Sequence, residues 1–175
     1  MAVVGCAPVP ALGVEVRPLC ADDLPAVLAI QHAAYGAGYQ ESAEVLGRKL
    51  ELAPRGCWLA HMGEVAVGYV FAHPWDGAGA PALHAPIASI PARADHGFVH
   101  DLAVSPAVRG LGVAAALFAR VRAWSSAAGH CSTRLVALAD AVPFWARQGF
   151  FTLPAAPPAA YGEGACLMER PVDRA

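Results

Sequence analysis

Apolar and polar positions change period several times along the chain, and the changes mark out alternating strands and helices. Val14 to Leu19 alternates and reads as a first strand. Asp22 and Asp23 open a helix with Pro25 in its first turn and Leu24, Val27, Leu28 and Gln31 along one side. Tyr35-Gly36-Ala37-Gly38-Tyr39 follows as an aromatic, glycine-containing loop, and Glu41 to Leu52 predicts a second, more polar helix stopped by Pro54. Cys57 to His61 and Val65 to His73 form a hairpin about Met62-Gly63-Glu64. Pro74 to Asp95 is irregular, and structureless spans of that length are often functional. Phe98 to Val104 reads as a fourth strand. After it comes a helix whose Val113, Leu117, Val121, Trp124 and Ala128 form a core stripe. Arg134 to Leu138 is a fifth strand. A short helix then runs from an Asp140 N-cap, past Pro143, to Gly149 at a left-handed end. Phe150 to Leu153 and Ala165 to Glu169 close the sheet.

Composition narrows the class. A chain of 175 residues that is 57% hydrophobic suits one domain with an ample core. We expect a tail over residues 1–13 and a single domain over 14–175. A net charge of −2 and the lack of a basic run argue against nucleic acid, and no apolar stretch reaches the roughly 18 residues of a membrane span. Met1 to Gly13 is apolar but too short for a signal peptide, and no Lys or Arg precedes Arg17. Five scattered cysteines (Cys6, Cys20, Cys57, Cys131, Cys166) without a C-x-x-C pair fit free thiols in a reducing cytoplasm.

The most informative segment is Val108-Arg109-Gly110-Leu111-Gly112-Val113-Ala114, between the fourth strand and the long helix. A glycine-rich turn onto a helix N-terminus gathers unpaired N–H groups and partial positive charge, which suits a phosphate. The Rossmann and P-loop spacings fit poorly: Ala115 stands where a third Gly would fall, and Lys49 is the only lysine. A nucleotide-binding domain is therefore a weaker reading.

Arg109 to Ala114 resembles motif A of the GNAT N-acetyltransferases, Arg/Gln-x-x-Gly-x-Gly/Ala, at every defined place. Asp140 to Phe150, with Pro143-Phe144-Trp145-Ala146-Arg147-Gln148-Gly149-Phe150, resembles their motif B. The resemblance covers about Val14 to Arg170. It implies an α/β (α+β) fold with a mixed, mostly antiparallel central sheet of about seven strands. Helices would lie on both faces, and strands four and five would splay apart. It also implies acetyl-CoA as acyl donor, its pantetheine arm on the main chain of Leu102, Ala103 and Val104. The pyrophosphate would sit on Arg109, Gly110, Leu111, Gly112, Val113 and Ala114. The implied activity is acetyl transfer to a primary amine, with no metal, in a cytoplasmic monomer or homodimer.

Acetyl transfer needs a neutral amine. Deprotonating an alkyl ammonium of pKa near ~10.4 at pH 7 costs about 4.6 kcal/mol, so a positioned base is useful. His96 and His100 are about 13 Å apart on one strand, too far to share a metal. Regular alternation would put Phe98, His100 and Leu102 on one face and Val99, Asp101 and Ala103 on the other. Phe98 to Val104 resembles the fourth strand of the arylalkylamine N-acetyltransferase branch, which implies His100 as base, with Phe98 at the place of a second histidine. Trp145 stands where the family commonly has a Tyr acid for the thiolate, and indole cannot supply a proton near neutral pH. We expect Trp145 beside the pantetheine arm and Tyr161 as a substitute hydroxyl. Tyr35, Tyr39 and Phe98 are candidate acceptor contacts; Glu41 and Glu44 read as a solvated helix face. An acyl-CoA-binding module with little turnover is the alternative to the enzyme.

Overall fold

The computed structural model describes residues 13–91 and 93–173. The expected tail lies outside these but for Gly13, as does Cys6. Seven strands form one sheet in the order β1-β2-β3-β4-β5-β7-β6. They are β1 (Val14–Pro18), β2 (Cys57–Met62), β3 (Val65–Trp75), β4 (His96–Val104), β5 (Ser132–Ala137), β6 (Phe151–Thr152) and β7 (Cys166–Pro171). Every neighbouring pair is antiparallel except β4 and β5. The helices are α1 (Leu24–Ala34), α2 (Ala43–Leu52), α3 (Val113–Ala127) and α4 (Val142–Arg147). No helix among the described residues is long and apolar enough to cross a membrane.

Two cores lie on opposite faces of the sheet. One packs Val70, Ala72, Val99 and Leu135 against Val113, Leu117, Phe118 and Val121 of α3 and Trp145 of α4. The other packs Leu59, Tyr69, Phe71 and Ala103 against Val27, Ile30, Leu46 and Leu50 of α1 and α2. The α3 stripe holds at Val113, Leu117 and Val121. Ala128 is exposed past the helix end, and Phe118 and Ser125 are buried beside the stripe. Among the described cysteines, Cys20, Cys57, Cys131 and Cys166 are free.

Several local expectations need correction. The α2 ladder begins at Ala43 under a Ser42 cap, whose hydroxyl accepts from Val45 N–H at 3.3 Å, so Glu41 lies in the connection before it. The α4 N-cap position is Ala141, with no side-chain cap. Ala141 and Val142 N–H both donate to the Leu138 carbonyl, and this backbone turn does what Asp140 was expected to do.

The largest correction concerns β4. Phe71 pairs with Asp101 and Ala72 with Val99, which leaves His100 as an extra, unpaired residue: a β-bulge. The bulge interrupts alternation. Phe98, Asp101 and Ala103 face the α1/α2 side with their β3 partners His73, Phe71 and Tyr69, while Val99 and Leu102 face α3. Asp101 therefore does not point away from His100.

Beyond the bulge the sheet opens. β4 and β5 pair only from His96↔Ser132 to Val99↔Leu135. One edge of residues 100 to 104 is thus free of β5, which is the expected splay.

Candidate active site

The splay opens into a cleft of about 550 Å³ between the second half of β4, the turn before α3, and α4. At one end the turn is shaped by two glycines. Gly110 (φ +82°) and Gly112 (φ +83°) are left-handed, a conformation only Gly adopts at little cost. A Cβ on either would meet open space, so the torsion rather than crowding calls for Gly. Arg109 N–H donates to Pro106 carbonyl (3.5 Å) and Leu111 N–H to Val108 carbonyl (3.3 Å); the α3 ladder starts with Ala116 N–H on Gly112 carbonyl (3.0 Å). The amides of Gly110, Gly112, Val113 and Ala114 fall outside these bonds and gather where the helix dipole favours an anion. Two of the six expected amides, those of Arg109 and Leu111, are thus used within the turn. The Arg109 side chain reaches the Ala34 carbonyl at the end of α1 (3.5 Å) and lines the cleft.

Trp145 is nearly buried. It packs edge-on against Phe118 (centroids 5.4 Å) and Phe150 (5.3 Å) and shows one side to the cleft. Its indole cannot give up a proton near neutral pH.

The other end is organised by Glu41, which sequence reasoning placed on a solvated face. Its side chain is 2% exposed and that of Lys49 is 1% exposed. Lys49 Nζ donates to Glu41 Oε2 at 2.6 Å; His100 Nε2 (3.2 Å) and the His84 N–H (2.9 Å) contact Oε1. Gln31 clasps the Glu41 main chain, donating to its carbonyl (2.9 Å) and accepting from its N–H (3.0 Å). Burial alone would raise the Glu41 carboxyl, but His100 and Lys49 outweigh it and bring it down to about 2. Burial pushes Lys49 the other way, disfavouring its ammonium. With three donors on one carboxylate, Glu41 is held ionised and the pair stays charged at neutral pH. The available sequence signal was the sole lysine, set between Leu46 and Leu50.

The His100 side chain has no exposure, although the residue borders the cleft. Its Nδ1 is buried without a partner, as is Nε2 of His73 on β3, whose ring lies 5.8 Å from that of His100. Burial brings His73 down to about 3, so it is neutral. Phe98 is wholly buried, stacked on His73 (5.8 Å), and does not line the cleft. The bulge accounts for this, placing Phe98 under the sheet beside His73.

Asp101 carries a second cluster. Tyr69 donates to its Oδ2 (2.6 Å), and the Tyr35 hydroxyl lies 2.9 Å from Oδ1 and 2.8 Å from the Leu102 carbonyl. Burial raises the Asp101 carboxyl against the opposing effect of both phenols. Tyr161 is 4% exposed, and its hydroxyl donates to the Pro81 carbonyl at 3.0 Å. It is a buried wall rather than a surface residue, with its proton already engaged. Tyr39 donates to the Tyr161 carbonyl (3.4 Å), and His84 Nε2 lies 3.0 Å from the Gly38 carbonyl. These ties fasten residues 81–84 over the Glu41 end. His84 is the one non-glycine residue with positive φ (62°) among the described residues.

The sequence model described as the Acetyltransferase (GNAT) family matches residues 24–150. No curated protein matches the chain. Among solved structures, the loading GNATL domain of CurA from Lyngbya majuscula superposes with a TM-score of 0.75 at 13% identity, covering 91% of this chain and 98% of that one. The GphF GNAT-like decarboxylase in complex with isobutyryl-CoA gives 0.74 at 20% identity, with 91% and 100% covered. The ribosomal-protein-S18-alanine N-acetyltransferase from Escherichia coli gives 0.69 at 16%, with 93% and 96% covered. At these identities the likeness is one of fold.

Proposed function

Because the chain belongs to the acetyltransferase (GNAT) family, we propose that it is an acyl-CoA-dependent N-acetyltransferase that moves acetyl from acetyl-CoA to a small primary amine by direct attack in a ternary complex. One observation carries the donor assignment: the free edge of β4 leads directly into the turn where the amides of Gly110, Gly112, Val113 and Ala114 gather. A pantetheine arm along Leu102, Ala103 and Val104 ends there with its pyrophosphate on the helix N-terminus. Trp145 packs beside the arm, and Arg109 closes over it from the α1 side.

The amine enters at the Glu41 end, beside Tyr39 and Tyr161. The ties that fasten residues 81–84 over this end support a compact acceptor rather than a long peptide. His100 is the base. Glu41 accepts from Nε2–H and fixes the ring, which leaves the unpartnered Nδ1 to take the proton. The ring is enclosed, so the proton reaches it through water. Covalent catalysis is not needed, and no Cys–His pairing occurs among the described residues that line the cleft.

The test is thiol release from acetyl-CoA with a panel of arylalkylamines, polyamines, amino acids and short peptides. Release with small amines and not with peptides is expected; release with peptides alone overturns the acceptor assignment. Trp145 favours a second reading, an acyl-CoA-binding module with little turnover. Tight CoA binding without release for any amine would establish it.

A further inference from the structure

Resting on the acetyl-transfer reading above, we propose that Tyr35, backed by Asp101, delivers the proton that the CoA sulfur takes up as it leaves. A departing thiolate takes up a proton, and the Trp145 indole has none to give near neutral pH. Three phenols border the cleft. Tyr161 spends its proton on the Pro81 carbonyl, and Tyr39 points toward the Tyr161 carbonyl at the acceptor end. Tyr35 is placed differently. Its hydroxyl sits at the Leu102 carbonyl, on the stretch of β4 assigned to the pantetheine arm.

The hydrogen-bond count around Tyr35 singles out Asp101. A phenol has one proton, yet Tyr35 Oη lies within bonding distance of two acceptors, the Leu102 carbonyl (2.8 Å) and Asp101 Oδ1 (2.9 Å). Tyr35 donates toward both acceptors, and its one proton cannot satisfy both at once; a neutral Asp101, with Oδ1–H donating to Tyr35 and Tyr35 donating onward, satisfies the pair. Tyr69 satisfies Oδ2 at 2.6 Å. Burial raises the Asp101 carboxyl, while Tyr69, Tyr35 and His100 oppose it and Glu41 adds to it. Lys49 also faces this cluster, and Arg109 and Asp140 face Tyr35 across the splay. The carboxylic acid matters chemically. Burial pushes the Tyr35 phenol well above its ordinary value of about 10, while a thiol lies near 8.5, so Tyr35 without a protonated Asp101 behind it would be a poor donor.

The step balances. The amine lone pair forms the C–N bond, the C–S bond breaks, and its electron pair goes to sulfur. Sulfur takes the Tyr35 proton as the hydroxyl turns from the Leu102 carbonyl, and Tyr35 recovers a proton from Asp101 Oδ1. The proton lost by the attacking nitrogen passes through His100 and water to restore Asp101.

Two measurements test this with the whole protein. In the binary complex with CoA, thiolate ultraviolet absorbance followed against pH reports the ionisation of the bound thiol. We expect it to ionise about one pH unit lower than free CoA in the wild type, and to return toward the free value in Tyr35→Phe. In turnover, Tyr35→Phe should lower kcat roughly a hundredfold with the KM for acetyl-CoA within about threefold. Asp101→Asn, which cannot pass on a proton, should lower kcat and alter its pH profile. A bound wild-type thiol that ionises like free CoA overturns the inference, as does Tyr35→Phe with kcat within twofold. If the thiol shift is present but no amine is acetylated, the acetyl-transfer reading fails while the Tyr35–sulfur contact stands. If CoA does not bind, both fall.

Discussion

Replacing Lys49 by Met should be among the most damaging conservative changes in this chain, and the structure supplies the magnitude twice. Lys49 and Glu41 are buried with Nζ and Oε2 2.6 Å apart. At an effective dielectric near 20, unit charges at that distance attract by about 6 kcal/mol, part of which desolvation removes. Breaking a buried pair while leaving one charge behind typically costs about 3–5 kcal/mol. The second route is linkage. Glu41 falls from an ordinary 4.5 to about 2, with His100 the larger lowering partner and Lys49 the smaller. At ~1.36 kcal/mol per pH unit this corresponds to about 3 kcal/mol for the carboxylate, of which Lys49 supplies only part. Lys49 offsets part of that, because burial disfavours its ammonium. The folded value lies below the unfolded one, so this stability is present above about pH 4.5 and is lost as pH falls toward about 2. The assay is urea unfolding at pH 7 of Lys49→Met, Glu41→Gln and the double variant. Each single change should cost about 3 kcal/mol. The double should cost clearly less than their sum, since Gln keeps an acceptor for His100 and the His84 amide while both charges are gone. A Lys49→Met cost below about 1 kcal/mol, or strict additivity, would refute the assignment of a buried charged pair.

Two further outcomes follow from named torsions and titrations. Gly112→Ala should cost about 1 kcal/mol through its left-handed φ and weaken CoA binding several-fold. Gly129→Ala, also left-handed (φ +73°) and in open space but away from the cleft, should cost as much with an unchanged CoA Kd; calorimetry of both variants decides. His73→Phe should flatten the stability profile between pH 6.5 and about 4.5. His73 falls from 6.5 to about 3 in the fold, so stability present above pH 6.5 drains as pH falls, by up to about 1.4 kcal/mol per pH unit. His96 and His130 are also lowered by burial, so the variant should remove about one proton's worth of slope. An unchanged slope would show that His73 titrates in the folded protein.

What could be read in advance, and what could not, divides along a physical line. Local backbone chemistry was legible: Gly63, Gly110, Gly112 and Gly149 all take positive φ where turns were expected, and the α3 stripe follows from helical period. The turn proposed to hold the donor was visible because its chemistry is main chain and its residues are contiguous. The acceptor side was not, because it depends on contacts between distant residues. Glu41 meets Lys49, His84 and His100 only after α2 and residues 81–84 close over β4. A carboxylate just ahead of a helix looks solvated until its partners are known. Asp101 was misplaced for a different reason: period-two reasoning assumes that each residue has one partner across the ladder, and no composition signal marks the residue that has none.

The unpaired position of His100 also says how this strand tolerates change in length. If His100 were deleted, Asp101 would follow Val99 just as Phe71 follows Ala72 in reverse on β3, and the ladder would close without a gap. No core side chain would switch faces: Val99 and Leu102 would still meet α3, and Phe98, Asp101 and Ala103 would still meet α1 and α2. A one-residue deletion within β4 away from the bulge would turn part of the strand inside out. The histidine is therefore an added letter in a strand that already reads correctly without it. Removing it outright separates its chemistry from the architecture more cleanly than any substitution.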